Sequence, residues 1–287
     1  MDFTEHTIAS NDGPRVYLRD YAPRAAAKLP VVCLHGLTRN SADFEAVAPR
    51  IASSGRRVLA FDVRGRGKSD CDPDPARYRP DVYCADVLKA LDTLGIARAV
   101  FFGTSMGGIM TMIIAATAPA RVAAAILNDI GPEVDPKGLA RIASYVGKSG
   151  PFDSWSEMTA AVKAGQGALF PGRDDAFWQR FVRRVARERA DGKVEFAYDP
   201  KIAVAFAPAP DAPPPPSLIP LFEALARVPV LVIRGAESDI LSRDGLATMK
   251  RIKPDLVVAE VPATGHAPTL EEPEAQAAIE TFLAQVE

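Results

Sequence analysis

A chain of 287 residues with 48% hydrophobic content can bury one large α/β core or two small ones. Its 34 basic and 36 acidic residues leave a formal charge of −2, which removes the electrostatic case for nucleic acid or an anionic membrane surface. Three cysteines (Cys33, Cys71 and Cys84), odd in number and without C-x-x-C spacing, argue against a disulfide framework or a zinc site and for a reducing compartment.

Met1 to His6 is acidic and polar, so no signal peptide is expected, and no apolar run reaches membrane-spanning length. The expectation is a cytoplasmic protein. Residues 2–9 and 15–21 read as strands, and Asn11-Asp12-Gly13-Pro14 between them signals a hairpin turn. An Ala-rich connection at 22–29 leads to Pro30-Val31-Val32-Cys33-Leu34, a continuously apolar strand of the kind covered on both faces. It runs into His35-Gly36-Leu37-Thr38. Ser41 is then expected to cap a helix bearing Phe44, Val47, Ala48 and Ile51, ended by Gly55. The strand 57–62 follows.

Asp62-Val63-Arg64-Gly65-Arg66-Gly67-Lys68-Ser69 ends like a phosphate loop, but Asp62 stands where the first glycine belongs, and Asp- and Pro-rich coil at 70–81 follows instead of a helix. It reads as a structural turn. An amphipathic helix over 81–95 and a strand over 98–103 lead to Gly103-Thr104-Ser105-Met106-Gly107-Gly108, then a helix to Pro119 and a strand over 122–129. This alternation implies a parallel sheet with helices on both faces.

From about 131 to 225 the alternation stops. The segment holds both tryptophans, Trp155 and Trp178, a helical stretch at 177–185, and a proline-dense connector over 206–220 with Pro213 to Pro216 consecutive. Strands resume at 229–235 and 256–261, with helices at about 242–252 and from 272. The expected organisation is a core of residues 1–130 and 226–287 with a helical cap inserted at 131–225.

The chemistry centres on Ser105. A serine at a strand-to-helix turn with glycines at positions −2 and +2 is the nucleophile-elbow pattern, in which side chains at 103 or 107 would strike the neighbouring strand and helix. A serine needs a base. Of three histidines, His6 lies in an N-terminal strand, while His35 and His266 follow strands on the sheet edge that carries Ser105. His266, beside Gly265, is the expected base. His35 is expected to orient the adjoining loop, with substrate contact as its other role. For the acid, Asp239 lies one crossover before His266, Asp129 ends the strand after the elbow helix, and Glu237 is a third candidate; Asp239 is placed first. Asp62 is expected to pin the arginine-rich loop.

The order Ser105, Asp239, His266, with His35-Gly36-Leu37, the Asp62–Ser69 loop, the elbow, Gly235-Ala236-Glu237-Ser238-Asp239 and Gly265-His266, resembles the α/β-hydrolase superfamily over essentially the whole chain. The resemblance implies an α/β fold with a mostly parallel twisted sheet. It also implies an oxyanion hole from the Leu37 and Met106 backbone N–H groups, and a lid made by 131–225. Relatives that are dehalogenases or epoxide hydrolases carry aspartate at the nucleophile, so Ser105 points to acyl chemistry: hydrolysis of a small, largely apolar ester or lactone, without cofactor or metal. The same residues would serve a carbon–carbon bond hydrolase of ring-cleavage diketones, an acyltransferase or a perhydrolase. A non-catalytic small-molecule binder is the alternative outside enzymes. Trp155, Phe170 and Trp178 are candidate substrate contacts. The oligomeric state is open.

Overall fold

The computed structural model describes residues 2–23, 25, 28–148, 150–206 and 217–287. The proline run Pro213 to Pro216 lies outside them, as does part of the Ala-rich connection. The main sheet holds β1 (Thr4–Ala9), β2 (Arg15–Tyr21), β3 (Val31–Leu34), β4 (Val58–Asp62), β5 (Ala99–Thr104) and β6 (Val122–Asn128). A two-stranded hairpin of β7 (Ala186–Glu188) and β8 (Val194–Phe196) stands apart, and β9 (Val230–Gly235) and β10 (Val257–Val261) complete the main sheet in the order β1-β2-β4-β3-β5-β6-β9-β10. The β1–β2 hairpin is antiparallel and β2 joins β4 antiparallel; from β4 to β10 neighbours are parallel.

The parallel strands read as unbroken apolar runs because both faces are covered. Val32, Leu34, Phe101 and Leu127 enter one core, while Val31, Cys33, Phe102 and Ile126 enter the other. This is the period-two alternation of a strand splitting its side chains between two layers. Helices α1 (Ala48–Ser53), α2 (Pro80–Thr93) and α3 (Met106–Thr117) alternate with the strands. The stretch expected as one helix from Ser41 is instead a 3-10 turn, Ser41–Phe44, followed by the short α1, which has Pro49 in its first turn. Its cap is Asn40, whose side chain accepts from the Ala42 N–H, while the Ser41 N–H donates to Asp62 Oδ1 at 2.6 Å.

Between β6 and β9 the chain leaves the sheet. It forms α4 (Pro136–Tyr145), α5 (Trp155–Gln166), α6 (Asp175–Val185), the β7–β8 hairpin, α7 (Ile202–Phe206) and α8 (Ile219–Glu223). The hairpin is the strand element in a segment expected to be mostly helical. Its turn signal, Asp191-Gly192, is present in the sequence, with Gly192 at φ 80°. Met158, Phe170, Phe177, Trp178, Phe181 and Val182 give this segment a core of its own. Backbone hydrogen bonds join it to the sheet-edge loops: Gly67 N–H to Ala197 O at 2.7 Å, Asp199 N–H to Gly65 O at 2.8 Å, and Gly265 N–H to Leu169 O at 2.6 Å. Helices α9 (Arg243–Ile252) and α10 (Pro273–Gln285) close the fold. Among the described residues no helix is long and apolar enough to cross a membrane.

Candidate active site

Ser105 stands between β5 and α3 at φ 52°, ψ −116°, a left-handed backbone unusual for a residue with a side chain. The flanking glycines are steric necessities. A methyl group at 103 would overlap the Gly107 carbonyl, and one at 107 would overlap the Leu34 carbonyl of β3. Helix α3 can therefore lie against β3 and β5, with the serine lifted at its N-terminus.

His266 follows β10 and meets Ser105 directly, its Nε2 2.9 Å from Ser105 Oγ. Its Nδ1 lies 2.8 Å from Asp129 Oδ2. A carboxylate oxygen accepts, so Nδ1 carries the proton and Nε2 is left to accept from the serine hydroxyl. Asp129 follows β6 at φ 58° and is fully buried. Its N–H donates to Ile233 O at 2.7 Å, Oδ1 accepts from the Gly235 N–H at 2.9 Å, and Oδ2 also accepts from Ser238 Oγ at 2.6 Å. A strained backbone is tolerated where so many bonds over-determine it.

Asp239, placed first as the acid from its spacing, does not hold His266. The loop after β9 turns so that Ser238 faces Asp129, and Asp239 is taken up by Arg141 of α4, Nε to Oδ2 at 2.5 Å and Nη2 to Oδ1 at 2.7 Å. Burial alone would raise the Asp239 carboxyl, but the guanidinium outweighs it and holds the group below its usual range. The competing candidate, Asp129, is the one in contact.

The loop after β3 is locked from below. His35 is fully buried, with Nδ1 2.7 Å from Gly36 O and Nε2 3.1 Å from the Val63 N–H. Burial pushes its pKa down to about 4, so the ring is neutral, donating through Nδ1 and accepting through Nε2. It is not among the residues that line the cavity beside Ser105, and its candidate role as a substrate contact does not fit this position. Arg66 donates from Nε to Leu37 O at 2.9 Å, and from Nη1 to Arg64 O at 2.9 Å and Tyr83 Oη at 2.8 Å. Asp62 pins the arginine-rich loop, as expected, accepting from the Ser41 and Lys68 N–H groups. With the Leu37 peptide fixed, its N–H and that of Met106 have no acceptor among the described residues. The Met106 N–H also opens α3, where the helix dipole favours negative charge.

A cavity of about 100 Å³ borders Ser105 and His266. Phe170 lines it, as one of the three candidate aromatics. Trp178 is sealed inside the core of the segment between β6 and β9, and Trp155 stacks under Arg183 and bonds Glu188, so neither borders the cavity. The lining is not purely apolar. Alongside Phe181 and Ile142 it includes Arg39, Asp43, Tyr145 and Arg184. The charged ones, Arg39, Asp43 and Arg184, carry no motif, and the only sequence signal for Arg39 is its place four residues after His35.

Residues 30–273 match the family described as alpha/beta hydrolase fold. The 3-hydroxybutyrate-oligomer hydrolase of Cupriavidus necator is 36% identical over 256 residues, covering 87% of this chain and 86% of its own length. The 2-(acetamidomethylene)succinate hydrolase of Mesorhizobium japonicum is 28% identical over 232 residues, covering 81% of this chain and 79% of its own. The crystal structure of a hydrolase from Novosphingobium aromaticivorans superimposes with a TM-score of 0.93 at 44% identity, covering 100% of both chains.

Proposed function

The chain belongs to the α/β hydrolase family, and from that premise we propose that it is a serine hydrolase of a short carboxylic ester, with Ser105 as nucleophile, His266 as base and Asp129 as acid. What carries this reading is the unbroken hydrogen-bonded line from Ser105 Oγ through His266 to Asp129. The hydrolase names of the relatives support it. A cavity below the usual size of drug-sized pockets supports a small substrate.

The proposed cycle starts when Ser105 Oγ attacks the ester carbonyl carbon and its proton passes to His266 Nε2. The carbonyl oxygen becomes an oxyanion held by the Leu37 and Met106 N–H groups. The C–O bond breaks, and the alcohol leaves with the proton from His266. Water then gives a proton to His266 and attacks the acyl-enzyme; the acid departs, and the proton returns to Ser105. Buried Asp129 fixes the imidazole tautomer and stabilises the imidazolium. Residues 131–225 act as the cap, since Phe170, Phe181 and Arg184 from this segment border the cavity beside Ser105. Residues 1–130 and 226–287 carry the machinery.

Hydrolysis of p-nitrophenyl butyrate and covalent labelling by a fluorophosphonate test the reading. Wild type should show both, and Ser105→Ala neither. A folded wild type with no turnover on esters and no label would overturn it.

A further inference from the structure

Arg39 is a charged residue of the cavity wall. A carbon added at Gly36 would touch Arg39 Cγ at 3.5 Å and Ser105 Cβ at 3.7 Å, so the two side chains both flank this one glycine. The guanidinium is held on two sides. Nε lies 2.9 and 2.8 Å from the two Asp43 oxygens, Nη2 lies 2.6 Å from Oδ1, and Cζ sits 4.2 Å above the Phe181 ring. Nη1 has no acceptor among the described residues, and 20% of the side-chain surface stays open. Arg184 repeats the pattern on the same cavity: Nε and Nη2 are taken by Glu45 and Glu271, and Nη1 has no acceptor among the described residues.

We propose that Arg39 Nη1 receives a free carboxylate on the alcohol portion of the ester, so that the substrate is an ester of a short hydroxy acid whose own carboxyl group is unesterified. This rests on the serine hydrolase reading above. A planar fork anchored on Asp43 and Phe181 offers its remaining N–H groups in a fixed direction, at little further entropic cost. Asp43 offsets the charge of Arg39, and Glu45 and Glu271 that of Arg184, so recognition is by directed hydrogen bonds. In an ester of a 3-hydroxy acid, four bonds separate the carboxyl carbon from the scissile carbonyl carbon. That short reach suits a cavity on whose wall the arginine and the nucleophile flank the same glycine.

Three substrates separate the possibilities: the linear dimer of 3-hydroxybutyrate, the methyl ester of that dimer, and p-nitrophenyl butyrate. Wild type should prefer the free acid to its methyl ester by about tenfold or more in kcat/KM, mainly through KM, as a hydrogen bond to a charged group provides. Arg39→Met should cut that acid-to-ester ratio by about tenfold or more, and Arg39→Lys should restore part of it. The ratio is internal to each variant, so altered expression does not affect it. Should Arg39→Met not fold, wild type still decides. Free 3-hydroxybutyrate should inhibit p-nitrophenyl butyrate hydrolysis about tenfold more tightly than its methyl ester. A wild-type ratio near one, a ratio unchanged in Arg39→Met, or equal inhibition by the two compounds would overturn the proposal while the esterase reading stands. Absence of turnover on all three substrates, with no fluorophosphonate label, would instead remove the hydrolase reading itself.

Discussion

Ser238 donates its hydroxyl hydrogen to Asp129 Oδ2 at 2.6 Å, the same oxygen that faces His266 Nδ1 at 2.8 Å. The hydroxyl oxygen in turn accepts from the Ile240 and Leu241 N–H groups at 3.2 and 3.1 Å. One side chain thus ties the loop after β9 to the aspartate that follows β6 and faces His266. Ser238 is a positioning residue that acts through Asp129. Ser238→Ala removes a donor to a carboxylate, an interaction of about 1.5–3 kcal/mol, so kcat on p-nitrophenyl butyrate should fall by about tenfold or more. Ser238→Thr keeps the hydroxyl and should recover most of the loss. Equal losses in the two variants, or full kcat in Ser238→Ala, would refute the role.

The two aspartates divide cleanly. Asp129→Asn leaves the geometry near His266 while favouring the wrong tautomer, and kcat should drop about 10⁴-fold, as for the equivalent change in other triads. Asp239→Asn only loosens a partly exposed pair with Arg141, with the two side chains 29% and 25% exposed. It should keep kcat within about tenfold and cost at most about 1 kcal/mol of stability. Steady-state kinetics and urea unfolding on the two purified variants give the answer. A dead Asp239→Asn beside an active Asp129→Asn would reverse the assignment.

The sheet and the elbow were legible because their signals are local. An apolar strand, a serine flanked by glycines and an apolar helix occupy 99 to 117 without interruption, and steric collision at 103 and 107 explains the pattern residue by residue. The carboxylate that faces His266 was not legible to the same degree. Asp129 and Asp239 both follow strands at the same sheet edge, and spacing cannot say which side chain a loop turns inward. That choice rests on Ser238 facing Asp129 and on Arg141, 98 positions before Asp239, drawing it away. The cavity wall was the least readable part. Aromatic residues between β6 and β9 suggested a pocket, but Trp178 and Phe177 pack on one another as a small core, and the wall is completed by Arg39 and Arg184. Arginines on a surface look alike in a sequence; only packing against Asp43 and Phe181 distinguishes this one.

Gly107 and Gly165 form a matched pair, since both sit in helices and only one is crowded. An alanine methyl at 107 would overlap the Leu34 carbonyl, a backbone atom that cannot swing aside. Gly107→Ala should therefore lose about 3 kcal/mol or more of unfolding free energy, at the upper end of overpacking costs, and displace Ser105. Gly165 in α5 has nothing within 4 Å of an added carbon. There the helix propensity term alone remains, and Gly165→Ala should gain about 0.5–1 kcal/mol. Urea unfolding of both variants, with fluorophosphonate labelling of Gly107→Ala, is the measurement. Equal stabilities for the two would show that the close approach of α3 to β3 carries no strain.

His35 sets a pH dependence that belongs to the fold. Burial holds its pKa at about 4 against an ordinary value of 6.5. Above pH 6.5 the ring is neutral in both the folded and the unfolded chain, and its full contribution to stability is present. Between 6.5 and about 4 the unfolded chain takes up a proton that burial keeps off the folded chain, where Nε2 is already accepting from the Val63 N–H. Stability is therefore lost as pH falls through this window, at up to about 1.4 kcal/mol per pH unit from this group. Other groups also contribute a slope, so the test is a difference. Urea unfolding of wild type and of His35→Gln from pH 7.5 to 4.5 should give a steeper wild-type fall by close to one proton. The ring can also be followed directly by NMR, where it should stay neutral at pH 5, and a His35 signal titrating near 6.5 in the folded protein would rule out the buried neutral ring as the clamp on the Leu37 loop.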